Sequence, residues 1–270
     1  MTTGAERDPA LVALMAQITR DRGFGCHAYK ESCLRRRLAV RMRARGVHTF
    51  ADYAEVLLSH PDEYDKLLDA LTINVTKFYR NRETWDALAE RFLPGVWEAR
   101  EGAVRVWSAG CASGEEPYTL AILLLEQARR APSRGAPRVD ATDIDATILA
   151  RAEAGIYQAP AFDEMPAALT HRYFSAEVPR RVQDEVRGLI RFRRHDLLKD
   201  APPEPPYDLI VCRNVIIYFD RASQATLFEQ FIDALAPGGL LVLGKVETMF
   251  GTARSRLTLE EPRERIYRRT

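Results

Sequence analysis

The stretch Ser108-Ala-Gly-Cys-Ala-Ser-Gly-Glu-Glu116 sets two glycines beside two adjacent carboxylates. Glycines in a strand-to-helix turn let backbone N–H groups come close to a ligand. Glu115 and Glu116 narrow the choice of ligand, because carboxylates at a helix N-terminus satisfy the helix dipole themselves and repel a pyrophosphate. The turn therefore suits a cationic amino group better than phosphates, and it lacks the GK[ST] of a phosphate-binding loop. Asp143 ends a second apolar run, where a carboxylate can accept from both hydroxyls of a ribose. Asp196 ends a third, where it can accept from the exocyclic amine of adenine. Each of these acids would also serve as a plain helix cap. Together they describe a pocket for an adenosine with a cationic amino-acid tail, and S-adenosylmethionine fits that description.

The elements that must position these residues follow from periodicity. From Pro9 to about Leu71 apolar residues recur at helical spacing (Leu11, Leu14, Met15, Ile18; Cys33, Leu34, Leu38, Met42; Leu67, Leu68, Leu71), which predicts a small domain of about four helices. A polar connector, Thr72 to Arg82, leads into an amphipathic helix from about Glu83 to Glu98. Short apolar runs then alternate with helical ones: strand Val104 to Trp107, helix Pro117 to Arg130, strand Arg138 to Thr142, helix Asp145 to Glu153, strand Leu189 to Arg194, strand Tyr207 to Cys212, helix Arg221 to Leu235, strand Gly239 to Leu243. That alternation predicts an α/β fold with a mostly parallel sheet covered on both faces. Leu257 to Leu259 and Arg265 to Tyr267 flank a turn and predict an antiparallel edge pair. Arg181 to Val186 and Leu189 to Arg194 flank Arg187-Gly188 and predict a small hairpin.

With 270 residues, 46% hydrophobic and 29% charged, the chain is long and apolar enough to bury a core, which excludes disorder and fibre as whole-chain readings. No 18-residue apolar window and no signal-peptide pattern occur, so the expectation is a cytoplasmic protein without membrane insertion. Cys26, Cys33, Cys111 and Cys212 make no CxxC pair, so buried free thiols are expected and no metal site. The formal net charge of +1 hides a basic run. From Lys30 to Phe50 there are Lys30 and Arg35, Arg36, Arg37, Arg41, Arg43 and Arg45 against Glu31 alone. Such a run suits a solvated face or an RNA surface, and Arg37, Arg41 and Arg45, at i, i+4 and i+8, form a ridge that could dock an acidic helix.

Four segments in order, Leu71-TINVTKFYRN81, Ser108-AGCASGEEPYTLA121, Ala141-TDID145 and Cys212-RNVIIYFD220, resemble the CheR family of chemotaxis-receptor glutamate O-methyltransferases, and the similarity runs over nearly the whole chain. The resemblance implies an N-terminal helical domain (1–73) with a basic substrate-facing helix and a linker contributing to the active site (74–84). It implies a class I methyltransferase (Rossmann-like) domain (85–270) with a seven-stranded sheet and a three-stranded antiparallel insertion near 173–193. Carried over by position, Asn74, Thr76 and Arg80 reach the cofactor pocket, Gly110 lies in its turn, Glu116 meets the methionine end and Asp143 the ribose. Asp196 and Leu197 lie at the adenine, while Asn214 and Val215 line the methyl region. Arg80 and Tyr218 are the expected catalytic pair, Arg80 orienting the substrate carboxylate and Tyr218 donating beside the reacting oxygens. The implied partner is the helical cytoplasmic region of chemoreceptors, met by a monomer, with no nucleic acid. The chain departs from the family at Asp196, where Asn is frequent, and at Gly244-Lys-Val-Glu247, where Gly-His-Ser-Glu is usual. A nucleic-acid methyltransferase and a non-catalytic S-adenosylmethionine-binding docking module stand as alternatives. The first rests on Asn214 to Tyr218, which distantly resembles Asn-Pro-Pro-Tyr.

Overall fold

The computed structural model describes residues 8–72, 74–131 and 135–270; residues 1–7 and Ile73, which bound the expected helical domain, lie outside them. Two compact units divide the chain, one from Met1–Ile73 with Tyr218–Ser223, the other from Asn74–Ile217 with Gln224–Thr270.

The first unit holds helices α1 (Pro9–Arg22), α2 (Glu31–Ala44), α3 (Phe50–Ser59) and α4 (Glu63–Thr72). Asp8 accepts the Ala10 N–H at 3.0 Å ahead of Pro9, and Thr49 accepts the Asp52 N–H at 3.1 Å, so α1 and α3 begin where side chains satisfy orphan donors. Leu11, Leu14, Ile18, Leu34, Leu38, Tyr53, Leu57 and Leu67 form its core. Residues 218–223, which the sequence places in the second domain, complete it. Lys30 N–H donates to the Tyr218 carbonyl and Asp220 N–H to the Ala28 carbonyl, both at 2.8 Å, while Tyr29 and Phe219 form an antiparallel bridge.

In the second unit, α5 (Arg82–Ala87), a π turn (Leu88–Phe92) and α6 (Leu93–Ala99) form the helix expected before the sheet. The sheet has seven strands among the described residues, in the order β5-β2-β1-β6-β7-β9-β8. These are β1 (Arg105–Ala109), β2 (Arg138–Asp143), β5 (Ile190–Arg194), β6 (Tyr207–Cys212), β7 (Leu235–Leu243), β8 (Leu257–Glu261) and β9 (Ile266–Arg269). The first five run parallel, and β9, lying between β7 and β8, is antiparallel to both of them. Helices α7 (Glu115–Arg130), α8 (Ala146–Ala154) and α11 (Arg221–Ala234) connect them, and α9 (Ala167–Tyr173) and α10 (Asp184–Arg187) fill the region before β5. Every residue of β6 is buried, as expected of a strand covered on both faces. Trp107 on central β1 packs on Tyr207 and Phe231 at 5.6 and 5.4 Å between ring centroids.

The expected hairpin is corrected. Asp184–Arg187 is a helical turn and Ile190–Arg194 pairs in parallel with β2, so the run of alternating residues joins the main sheet instead of folding back on its neighbour. The insertion is also smaller than the three strands implied. β3 (Ile156–Tyr157) pairs with β4 (Arg180–Arg181), joined by a single bridge between Phe174 and Val182. Cys26, Cys111 and Cys212 are buried and Cys33 half-buried, all as free thiols.

Candidate active site at the carboxyl ends of the strands

The turn after β1 is held from below. Gly110 and Cys111 N–H groups both donate to the Thr142 carbonyl, at 2.8 and 2.9 Å, so the ends of β1 and β2 stay adjacent. Gly110 has φ +81, and a Cβ there would stand 2.5 Å from Val215 Cγ2. Only glycine lets this turn lie against the turn after β6.

Asp143 sits at the end of β2. Its two oxygens accept the N–H groups of Ala112 (2.9 Å) and Asp145 (3.0 Å), which ties the first turn to the second. Burial raises its carboxyl above the ordinary range against those hydrogen bonds. Each oxygen keeps a second lone pair for a hydroxyl donor. Asp145 caps α8 through Thr147 and Ile148 N–H and accepts from the Asn74 side chain at 3.1 Å, which brings the connector to the same strand end.

Glu116 lies in the first turn of α7 and accepts the Ser108 hydroxyl at 2.9 Å. Burial pushes its carboxyl up to about 7, with Arg213, Ser108 and Arg80 pulling the other way. Arg213 was not singled out in the sequence. It follows β6, is buried, and stands 3.9 Å from Glu116 and 5.0 Å over the Trp85 ring. It also donates to the Arg80 carbonyl (3.0 Å) and Asn81 Oδ1 (2.8 Å).

The connector is irregular but firmly seated. Phe78 is fully buried among Tyr157, Phe162 and Phe174, with centroids 4.8 to 5.0 Å apart, and Tyr79 and Asn81 both have positive φ. This aims Arg80, half-buried, with Nη1 donating to the Val75 carbonyl at 2.8 Å. Thr76 is half-buried in the same strip.

Asn214 begins the turn after β6 with φ +60, and its buried Oδ1 has no hydrogen-bond partner. Glu247, also not singled out, lies 3% exposed beneath this turn, where its carboxylate accepts several backbone N–H groups. Burial raises its carboxyl against those hydrogen bonds. A signal for it existed only as the departure around Gly244-Lys-Val-Glu247. Asp196 caps its own turn, accepting Leu198 N–H at 3.0 Å with Lys199 at 3.4 Å, next to buried Leu197.

Asn74, Thr76, Arg80, Gly110, Glu116, Asp143, Asp196, Leu197, Asn214 and Val215 all belong to the second unit. Tyr218 falls in the helical unit. Arg41 and Arg45 of the expected docking ridge have an acidic partner within the helical unit. Arg41 forks onto Glu63 of α4 at 2.8 and 2.9 Å, Tyr53 donates to the same carboxylate at 3.0 Å, and Arg45 approaches it at 4.0 Å. Glu63 is fully buried, so this spacing packs α2 onto α4. Arg37 is half-buried, and Arg36 and Arg43 are exposed. Among the described residues no group of three or more His, Cys, Asp or Glu could hold a metal ion, and no helix is long and apolar enough to cross a membrane.

The residues fit an adenosyl amino acid. A buried acceptor without a partner (Asn214 Oδ1), a carboxylate titrating near neutrality (Glu116) and a second strand-end carboxylate (Asp143) offer acceptors to a polar, cationic ligand. Residues 74–265 match the CheR methyltransferase, SAM binding domain, and residues 9–72 the CheR methyltransferase, all-alpha domain. The chain is 37% identical over 239 residues to the chemotaxis protein methyltransferase of Listeria monocytogenes, covering 87% of this chain and 88% of that one. Over 234 residues it is 37% identical to the corresponding protein of Klebsiella aerogenes (83% and 78% covered) and 35% identical to that of Salmonella typhimurium (84% and 79%). A chain matched along both domains in this way, with strand-end acceptors suited to S-adenosylmethionine, belongs to the CheR methyltransferase family.

Proposed function

We propose that this methyltransferase transfers the methyl group of S-adenosylmethionine to glutamate side chains of chemoreceptor-type signalling proteins, leaving methyl esters. The observation that carries the reading is the Glu116–Arg213–Arg80 cluster. A carboxylate suited to a cationic tail lies in one charge network with an arginine whose fork suits a carboxylate. The name shared by the relatives, chemotaxis protein methyltransferase, supports the receptor as substrate.

S-adenosylmethionine supplies a methyl group already activated on a sulfonium, and a glutamate of pKa about 4.3 is ionised at neutral pH, so no general base is required. The chain's work is placement. Arg80 orients the substrate carboxylate through its planar fork. Glu116 holds the amino group of the cofactor's tail and Asp143 its ribose. Leu197, with Asp196, closes the adenine end. On the helical unit, Arg37 with exposed Arg36 and Arg43 guides an acidic receptor helix, while Arg41 and Arg45 hold α2 to α4.

The test is incubation with methyl-labelled S-adenosylmethionine and a panel of receptor cytoplasmic fragments, followed by alkaline release. Base-labile label on receptor glutamates is expected. Base-stable label on RNA, or binding without turnover on any fragment, overturns the reading.

A further inference from the structure

The turn after β6 presents consecutive backbone N–H groups to a single point, and that point is filled from within the chain. Glu247 Oε1 accepts from Val215 (3.0 Å), Ile216 (2.9 Å) and Ile217 (3.3 Å), and Oε2 from Asn214 (3.0 Å) and Gly244 (2.6 Å). Such an array of amides is an anion-binding cup, here closed by the protein's own carboxylate. What it fixes lies on the pocket side. Asn214 is held at φ +60 with its Oδ1 buried and unpartnered, and Val215 is held where Gly110 of the β1 turn packs against it. Gly244 belongs to the same device, since a Cβ there would lie 2.8 Å from Glu247 Oε2 and 3.0 Å from Asn214 N.

We propose that Glu247 is a positioning residue: by gathering the amides of 214–217 it sets the orientation of Asn214 and the seat of Val215, and so the affinity for cofactor, without touching it. This deepens the methyltransfer reading and rests on it. The Lys245-Val246 pair that departs from the family pattern leaves the device intact, because Gly244 and Glu247 alone supply its parts.

The experiment compares wild-type protein with E247Q, E247D and G244A. The readouts are calorimetric binding of S-adenosylhomocysteine, KM for S-adenosylmethionine against KM for a receptor fragment, and Tm. L240A, in the core of β7, serves as a variant of comparable stability loss outside the turns. E247Q is expected to weaken S-adenosylhomocysteine binding about tenfold or more, because an amide nitrogen faces N–H donors and displaces the turn. KM for the cofactor rises while KM for the receptor stays within about twofold, since only the positioned turn moves. E247D recovers part of the loss and G244A reproduces it with the charge retained. L240A binds like wild type. Wild-type affinity in folded E247Q overturns the proposal, as does an equal loss in L240A at matched Tm. Should E247Q not fold, E247D and G244A decide by the same criteria, wild-type affinity in G244A counting against. Failure of the wild-type protein to bind S-adenosylhomocysteine overturns the methyltransfer reading, and this proposal with it, before any variant is compared.

Discussion

Arg213 and Glu116 stand 3.9 Å apart, the guanidinium 2% and the carboxylate 12% exposed, so an opposite pair is enclosed with little water around it. The separation is longer than a hydrogen bond, and burial dominates over the arginine in setting the Glu116 carboxyl. The glutamate is thus left partly protonated at neutral pH, with the Ser108 hydroxyl as its hydrogen-bond donor and the guanidinium beyond hydrogen-bond reach.

Cofactor affinity should therefore depend on pH. In the folded chain Glu116 titrates at about 7, above its ordinary 4.5, so between those values the folded state holds a proton the unfolded state lacks. Its contribution to stability is fully present below about pH 4.5 and is lost as pH rises through 7. A cationic tail favours the ionised form, so binding moves the opposite way. S-adenosylhomocysteine affinity should rise about tenfold from pH 6 to pH 8, measured by calorimetry, and E116Q should weaken binding and flatten the dependence.

Arg80→Ala should fold. The Trp85 indole and Arg213 bond to the Arg80 carbonyl, which the substitution keeps, so Tm should stay within about 2 °C. Methyl transfer should fall about 100-fold or more, with Arg80→Lys closer to Ala than to wild type because a point charge lacks the fork. Equal rates for all three would remove Arg80 from the reaction.

Arg41→Ala should be a stability variant. It strips the fork from Glu63 and leaves Arg45 at 4.0 Å and the Tyr53 hydroxyl as partners, at a cost of about 3 kcal/mol by denaturant unfolding. Arg36→Ala and Arg43→Ala, on exposed positions, should cost under about 0.5 kcal/mol and act on receptor KM, more at low salt.

Phe78→Ala should cost about 3–5 kcal/mol, because a ring buried among three others leaves a cavity. Since Phe78 seats the strip that carries Arg80, kcat should fall along with Tm.

Much of this was legible because the residues in question announce themselves by type. Two glycines and two glutamates after Trp107 mark a strand-end turn for a cation, and the alternation of apolar runs orders the sheet. What the chain's pattern hides are partners far along it. Ile190–Arg194 reads equally well as half a hairpin, and only its pairing with β2 decides; Gly188 ends a helical turn through its N–H to the Asp184 carbonyl. A basic residue every fourth position looks the same on a solvated face and against a buried acid, and Glu63 lies 22 residues from Arg41. Glu247 was least visible. Its partners are backbone amides, which every residue type but proline supplies, so no side chain in 214–217 records the interaction.

The return of residues 218–223 to the first unit makes the N-terminal helices a module only on paper. A fragment ending at residue 72 loses the carbonyl that receives Lys30 and the bridge at Tyr29, both supplied by chain almost 150 residues downstream. Swapping helical regions between homologues would have to exchange two segments together, the amino-terminal one and this hexapeptide.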